Sequence, residues 1–222
     1  ASKIRVKIND SGFIKRRLYD MSQKIGRQIV DLESEKKAVP GRLRLLRWLG
    51  TRVVSRPLMD RVGCLNFRAA YTGGHPISPD VIRFFRANGL NLKQCYGLTE
   101  TCGIFQVQPD DEVKPETVGK PLPGTEIRIT EDQEVLVHSK SNFVGYFQNP
   151  EATAESLKDG WFYTGDAGYY DDDGHLLIIG RKQDIMRTRE GEAFSPDFIE
   201  TRLKFSPYIK EAVIWGEGQE FL

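Results

Sequence analysis

The chain has 222 residues, 39% of them hydrophobic and 28% charged, with 32 Lys+Arg against 31 Asp+Glu for a net charge of +1. No run of about 18 apolar residues occurs, which excludes a membrane-spanning helix of ordinary length, and the length allows one or two domains. Cys64, Cys95 and Cys102 have neither disulfide-framework nor zinc-site spacing, so free thiols in a reducing cytoplasm are expected.

The charge is uneven. Residues 1–61 carry 16 Lys+Arg and 6 Asp+Glu, net +10; the remainder carries 16 and 25, net −9. A basic segment of this kind faces solvent or an anionic partner. No nucleic-acid motif and no interleaved aromatics accompany it, so nucleic acid is not an expected partner. The start of the chain is polar and basic, without the apolar stretch of a signal peptide.

In chain order, residues 1–9 alternate Ile4, Val6 and Ile8 with Lys and Arg, which leaves a short strand or a helix end open. A helix is expected from Asp10 or Ser11 as N-cap. Ile14, Leu18, Met21, Ile25, Ile29 and Leu32 form its apolar stripe, until Pro40-Gly41 breaks the pattern. A second helix, with Leu43, Leu46, Leu49 and Val53 on one face, is expected to end before Pro57. Residues 65–70 read as a strand running into Gly73-Gly74-His75-Pro76. Ser78 and Pro79 open a helix that Asn88-Gly89 closes. The next strand, 92–95, ends on Tyr96-Gly97-Leu98-Thr99-Glu100. Such a strand–helix–strand unit predicts parallel strands with a right-handed crossover. Ligands bind beyond the carboxyl ends of such strands, and both the Gly73-Gly74 and Tyr96–Glu100 segments sit there.

Past Pro109 the texture changes. A Pro/Gly-rich linker, 118–124, precedes short strands at 126–129, 134–138, 162–164, 168–170 and 176–179. Their alternation suggests a small antiparallel or barrel-like subdomain. Asp171-Asp172-Asp173-Gly174 reads as a hairpin turn, because the terminal Glu of a calcium loop is missing. Gly145-Tyr146-Phe147-Gln148-Asn149-Pro150-Glu151-Ala152-Thr153 leads into a short helix and receives no chemistry. Ser195-Pro196 opens another helix, and a last strand is expected over 209–215.

Three features offer chemistry without proving it. Thr99 has a hydroxyl for a phosphate, Glu100 a hard oxygen ligand suited to Mg²⁺, and Asp166 a carboxylate after Tyr163-Thr164-Gly165. Taken in order, Gly73-Gly74-His75-Pro76, Tyr96–Glu100, Tyr163-Thr164-Gly165-Asp166 and Gly180-Arg181-Lys182-Gln183-Asp184 resemble the adenylate-forming superfamily. The spacing, the Gln108-Pro109-Asp110-Asp111 stretch and the helical N-terminal segment look most like long-chain fatty acyl-CoA synthetases.

The resemblance implies an α/β fold in three parts. These are the C-terminal part of a large parallel αβ domain over 1–108, a β-barrel-like subdomain over 109–179, and a hinge with the start of a small α+β domain over 180–222. It implies fatty acid, ATP and CoA as substrates, with Mg²⁺. Gly73, Gly74 and His75 would lie against adenine and acyl group, with His75 where Ala is common. Tyr96 would stack on adenine beside Gly97, Thr99 would bond the α-phosphate, and Glu100 would hold the metal. Asp166 and Arg181 would fix the ribose. Gln183 stands at the hinge, where Asp or Lys is usual, and the loop 187–196 keeps only Gly191 of two adjacent glycines.

The family's Lys-ending phosphate loop and its bridging lysine have no counterpart in these residues. The resemblance therefore implies a parent ligase of which this stretch alone is inactive. A ligase loading a carrier protein and a non-catalytic nucleotide-binding remnant are the alternatives. Peripheral membrane contact by the basic helices and an oligomeric state stay open.

Overall fold

A computed structural model describes residues 2–75, 77–191, 193–206, 208–216 and 218. Pro76 of the Gly-Gly segment and Glu192 of the glycine-poor loop lie outside the described residues. The elements up to the first sheet are α1 (Ser2–Asn9), α2 (Phe13–Ser34), α3 (Gly41–Gly50), α4 (Arg56–Arg61), β1 (Ala70–Thr72) and α5 (Pro79–Ala87). Next come β2 (Leu92–Leu98), β3 (Gly103–Val107), β4 (Lys120–Pro121), β5 (Thr125–Ile129) and β6 (Glu134–Ser139). They are followed by α6 (Pro150–Ser156), β7 (Leu157–Lys158), β8 (Trp161–Tyr170), β9 (Leu176–Arg181), β10 (Met186–Arg187), β11 (Ala193–Phe194) and α7 (Pro196–Leu203).

Residues 2–9 are helical, so the short-strand alternative falls. Neither Asp10 nor Ser11 caps α2: Gly12 takes that place without a side-chain bond, and the Ser11 hydroxyl donates back to the Ile8 carbonyl at 2.6 Å. The buried stripe of α2 shares only Ile29 with the expected apolar one, Ile25 and Leu32 being half-buried. Tyr19, Ser22, Gln23, Gly26, Ile29 and Val30 face inward, whereas Ile14, Leu18 and Met21 are exposed. Small and polar residues win that face because of what lies opposite. Gly26 sits against Ala87, Ser22 sits beneath Gly50, and the Gln23 amide donates to Asn88 Oδ1 at 3.0 Å.

The second helix does not stop before Pro57. A single π turn, Thr51–Ser55, carries α3 into α4, where Pro57 is the second residue. The wider turn relieves the clash a proline ring makes with the preceding α-helical carbonyl. Of its expected apolar face only Leu43 is buried.

Of the predicted strand over 65–70 only Ala70 is extended; β1 lies further on, at Ala70–Thr72, and pairs parallel to β2. The crossover helix α5 starts and ends where expected: the Ser78 side chain accepts from the Asp80 N–H, and Asn88 is the C-cap. The first sheet has the order β1-β2-β3-β4, antiparallel after the first pair. Ile82, Leu92 and Val113 form its core, with Phe85 alongside.

The second sheet is five-stranded, β5-β6-β8-β7, with β9 also on β8. The two predicted strands 162–164 and 168–170 are one long strand, β8, whose first half pairs with β7 and second half with β9. The sheet curls over a core of Val118, Val135 and Leu176. The 118–124 stretch is no free linker. Val118 is buried, Gly119 bridges to Leu176, and β4 joins the first sheet. The acidic hairpin is held by lysines: Lys36 reaches Asp173 at 2.8 Å, and Lys114 reaches Asp171 and Asp173 at 2.5 Å each.

The last strand expected, 209–215, is absent. The chain there is irregular, with Val213 and Trp215 85% and 80% exposed, and finds no strand to pair with among the described residues. Helix α7 forms as expected, its N-cap Ser195 accepting from the Phe198 N–H at 3.3 Å. The architecture is α/β, as the sequence implies.

Candidate functional site

The Tyr96–Glu100 segment is not a turn at its start. β2 runs on to Leu98, with a register shift against β3 between Tyr96 and Gly97. The turn follows in the 3₁₀ segment Thr99–Thr101, and Cys102 closes it at φ +55°. Gly97 is needed for close approach: a Cβ there would lie 2.2 Å from the Gly103 carbonyl oxygen. Thr101 staples the turn from below. Its hydroxyl accepts from the Leu98 N–H at 3.1 Å and lies 2.9 Å from the Leu98 and Gly103 carbonyl oxygens. Thr99 is thereby left exposed and Glu100 half-buried at the tip.

The second sheet brings Asp166 and Arg181 opposite each other on β8 and β9. Arg181 Nε lies 3.3 Å from Asp166 Oδ1, and its Nη1 donates to the Thr164 carbonyl at 3.1 Å. The Tyr96 hydroxyl, from the first sheet, donates to Asp166 Oδ2 at 2.5 Å. This bond ties the two sheets together at one point. Burial pushes the Asp166 carboxyl above the usual range, and the Tyr96 hydroxyl and Arg181 oppose that push. Burial, then the neighbouring Asp166 charge, drives the Tyr96 phenol well up, so it stays a donor. Its ring packs edge-on against Phe105, centroids 4.7 Å apart.

Two cavities flank the segment, and Leu98 lines both. One of about 400 Å³ is lined by Gly73, Gly74, Gly97 and Thr99, with Cys95 and Ile104 on its wall. The other, of about 460 Å³, is lined by Glu100, Glu134, Thr164, Arg181 and Gln183. His75 is exposed and lines neither.

Two residues of the second cavity escaped the sequence reading. Glu134 accepts from the Gly165 N–H at 3.2 Å and from Lys182 Nζ at 2.9 Å, so it braces the backbone beside Asp166. Nothing in a strand sequence marks it. Tyr146 donates its hydroxyl to Glu100 Oε1 at 2.8 Å; its motif was visible but carried no chemistry.

Glu100 makes no ion pair with Lys or Arg among the described residues, and no group of three or more His, Cys, Asp or Glu that could hold a metal occurs among them. Glu100 offers one carboxylate, and Mg²⁺ takes one or two, completing its shell with water and substrate phosphate. No helix among the described residues is long and apolar enough to cross a membrane.

A crossover unit of parallel strands, a curled second sheet and a cleft at the strand ends define an α/β architecture with an open site between its sheets. Residues 21–147 match the AMP-binding enzyme family, and the chain belongs to it. The long-chain-fatty-acid–CoA ligase FadD15 of Mycobacterium bovis is 42% identical over 171 residues, 77% of this chain and 28% of that protein. The chain thus spans less than a third of that relative's length. The Bacillus subtilis O-succinylbenzoate CoA synthetase MenE, in complex with its acyl-adenylate intermediate, superposes with TM-score 0.63 at 26% identity over 75% of this chain and 38% of that one. The same enzyme in complex with ATP and magnesium ion gives TM-score 0.59 at 30% identity, over 65% and 32%.

Proposed function

We propose that these residues form part of the active site of an ATP-dependent ligase that activates a long-chain fatty acid and passes it to CoA. A carboxylate oxygen attacks the α-phosphorus, the bond to the β-phosphate bridging oxygen breaks, and pyrophosphate leaves. The CoA thiolate then attacks the acyl carbon of the adenylate, and AMP departs. The observation that carries the reading is the junction at Asp166. There Tyr96 of one sheet and Arg181 of the other fix a buried carboxylate beside the tip that bears Thr99 and Glu100.

Asp166 and Arg181 hold the ribose hydroxyls in this reading, and Thr99 donates to the α-phosphate. Glu100 would hold Mg²⁺, which neutralises phosphate charge when bound. Gly73 and Gly74 lend backbone to the wall against adenine and acyl chain, with Gly97 and the Tyr96 ring behind them. Gln183 is the pivot for the segment beyond β9. These are positioning and electrostatic roles; no side chain here acts as a nucleophile. The identity to FadD15 supports a long-chain fatty acid and CoA as substrates.

The test is pyrophosphate exchange in the whole enzyme, with fatty and aromatic acids in parallel. Glu100→Ala is expected to lower the exchange rate about 100-fold or more, as loss of a charge-stabilising group does. Asp166→Ala is expected chiefly to raise KM for ATP. An unchanged rate in Glu100→Ala overturns the assignment, and preference for an aromatic acid overturns the fatty substrate. The 222 residues alone are expected to give no exchange.

A further inference from the structure

The segment Gly145–Thr153, which the adenylation chemistry leaves without a task, lies directly on the tip of the site. One of its contacts, and one from Phe143 just ahead of it, reach the same residue. The Phe143 N–H donates to the Glu100 carbonyl at 2.7 Å, and the Tyr146 hydroxyl donates to Glu100 Oε1 at 2.8 Å. Backbone and side chain of the same glutamate are therefore held from the second sheet's side.

The holder is itself built. The Tyr146 N–H donates to Thr153 Oγ1 at 2.9 Å, and the Thr153 hydroxyl donates to the Asn149 carbonyl at 2.8 Å. Asn149 Oδ1 accepts the Ala152 N–H at 3.0 Å and so starts α6. Gly145 lets the strap close on the helix, because a Cβ there would lie 2.8 Å from Thr153 Cγ2. The Phe143 ring wedges between Tyr146 and Phe162, with centroids 4.8 and 5.4 Å away and nearly perpendicular rings. Four residue types in the motif have a use: Gly for approach, Asn for the cap, Thr to aim the strap, Tyr to reach the carboxylate.

We infer that Tyr146 is a positioning residue for Glu100, holding one carboxylate oxygen so that the carboxylate meets Mg²⁺ in a fixed orientation. This rests on the proposed role of Glu100. A hydrogen bond to a charged acceptor is among the stronger ones in a protein, and it restricts the rotamers of a side chain that no ion pair among the described residues holds.

The test reads binding rather than turnover. The ATP dissociation constant of the whole enzyme is measured calorimetrically with Mg²⁺ and with EDTA, for wild type, Glu100→Ala and Tyr146→Phe. Tyr146→Phe keeps the ring packing and removes only the hydroxyl. It is expected to leave ATP affinity in EDTA unchanged and to reduce the Mg²⁺-dependent tightening about fivefold, the scale of one charged hydrogen bond partly open to water. Thr153→Val is expected to act in the same direction and Thr153→Ser, which keeps the hydroxyl, to restore wild-type behaviour. If Glu100→Ala abolishes the tightening while Tyr146→Phe retains it in full, the positioning role is overturned and the Glu100 assignment stands. Equal weakening with and without Mg²⁺ means a structural role only and overturns it too. No loss of tightening in Glu100→Ala overturns the metal reading, and the inference with it.

Discussion

At the scale of single residues, the site depends on backbones that touch. Gly97 is the sharpest instance, since a methyl group there meets only main-chain atoms: the Gly103 carbonyl at 2.2 and 2.6 Å and Ile104 Cα at 2.6 Å. None of these can swing aside, so β2 and β3 would have to separate where their register shifts. Gly97→Ala is expected to destabilise the fold by about 2–3 kcal/mol, the cost of an overpacked contact, and to lower the urea midpoint correspondingly. A midpoint within error of wild type would contradict the close approach. The sequence offered Gly97, Thr99, Glu100, Asp166 and Arg181 as candidates only through the resemblance of their motifs to a known family. It did not make Tyr146 or Glu134 legible, because their partners are 46 and 31 residues away. A tyrosine or glutamate in a strand or loop looks the same whether it braces a site or faces water.

At the scale of elements, the crossover unit could be read because its signals are local: Ser78 and Pro79 start α5, and Asn88-Gly89 stops it. The buried stripe of α2 could not, because Ser22, Gln23 and Gly26 are chosen by neighbours that hydropathy does not encode. The irregular 209–215 stretch fails for a related reason. Its β-branched and aromatic residues promise a strand, but a strand needs a partner.

The junction between α2 and the second sheet gives an element-scale prediction. His175, fully buried, pairs Nδ1 with Thr117 Oγ1 at 3.1 Å and Nε2 with Glu112 at 3.4 Å. Burial holds its pKa below the ordinary value, although the Glu112 contact and Asp171 act the other way; Lys120 and Lys114 also lower it. The folded state therefore binds fewer protons than the unfolded state in this range. The neutral ring's stabilisation is complete above the unfolded value of about 6.5 and is lost as pH falls through the lowered folded one. Glu112 acts in a separate window. Hydrogen bonds from Lys120 and then His175 hold it at about 2, so its contribution persists above the unfolded carboxylate value and fades as pH falls towards that number. Thermal midpoints between pH 7.5 and 5 should fall more steeply for wild type than for His175→Gln, by a few degrees at about 2–4 °C per kcal/mol. Parallel curves would show that the ring takes up its proton without cost.

At the scale of the whole molecule, positive charge is concentrated in the N-terminal helices, which also expose apolar side chains. Residues 1–61 carry net +10, and the same helices expose Ile14, Leu18 and Met21 on α2, Leu45 and Leu49 on α3, and Val53 on the π turn. On α2 the exposed residues Ile14, Leu18 and Met21 recur at spacings of four and three, so they share one side of the helix, bordering the buried stripe that includes Ser22 and Gly26. Aligned apolar residues of this kind attract other apolar matter, whereas scattered ones do not. The 222-residue polypeptide studied alone is therefore expected to bind a hydrophobic dye such as ANS while keeping native far-UV circular dichroism. The dependence on this surface can be tested by adding charge to it: Met21→Lys with Leu49→Lys should lower dye fluorescence by about half or more, since the surface rather than a loosened core supplies the sites. Undiminished fluorescence in the double variant would place the dye elsewhere, on the exposed Phe147, Val213 and Trp215 side chains or in a loosened core. In the latter case the Asp171–His175 junction would be the place to look, because Lys36 joins the end of α2 to Asp173 there.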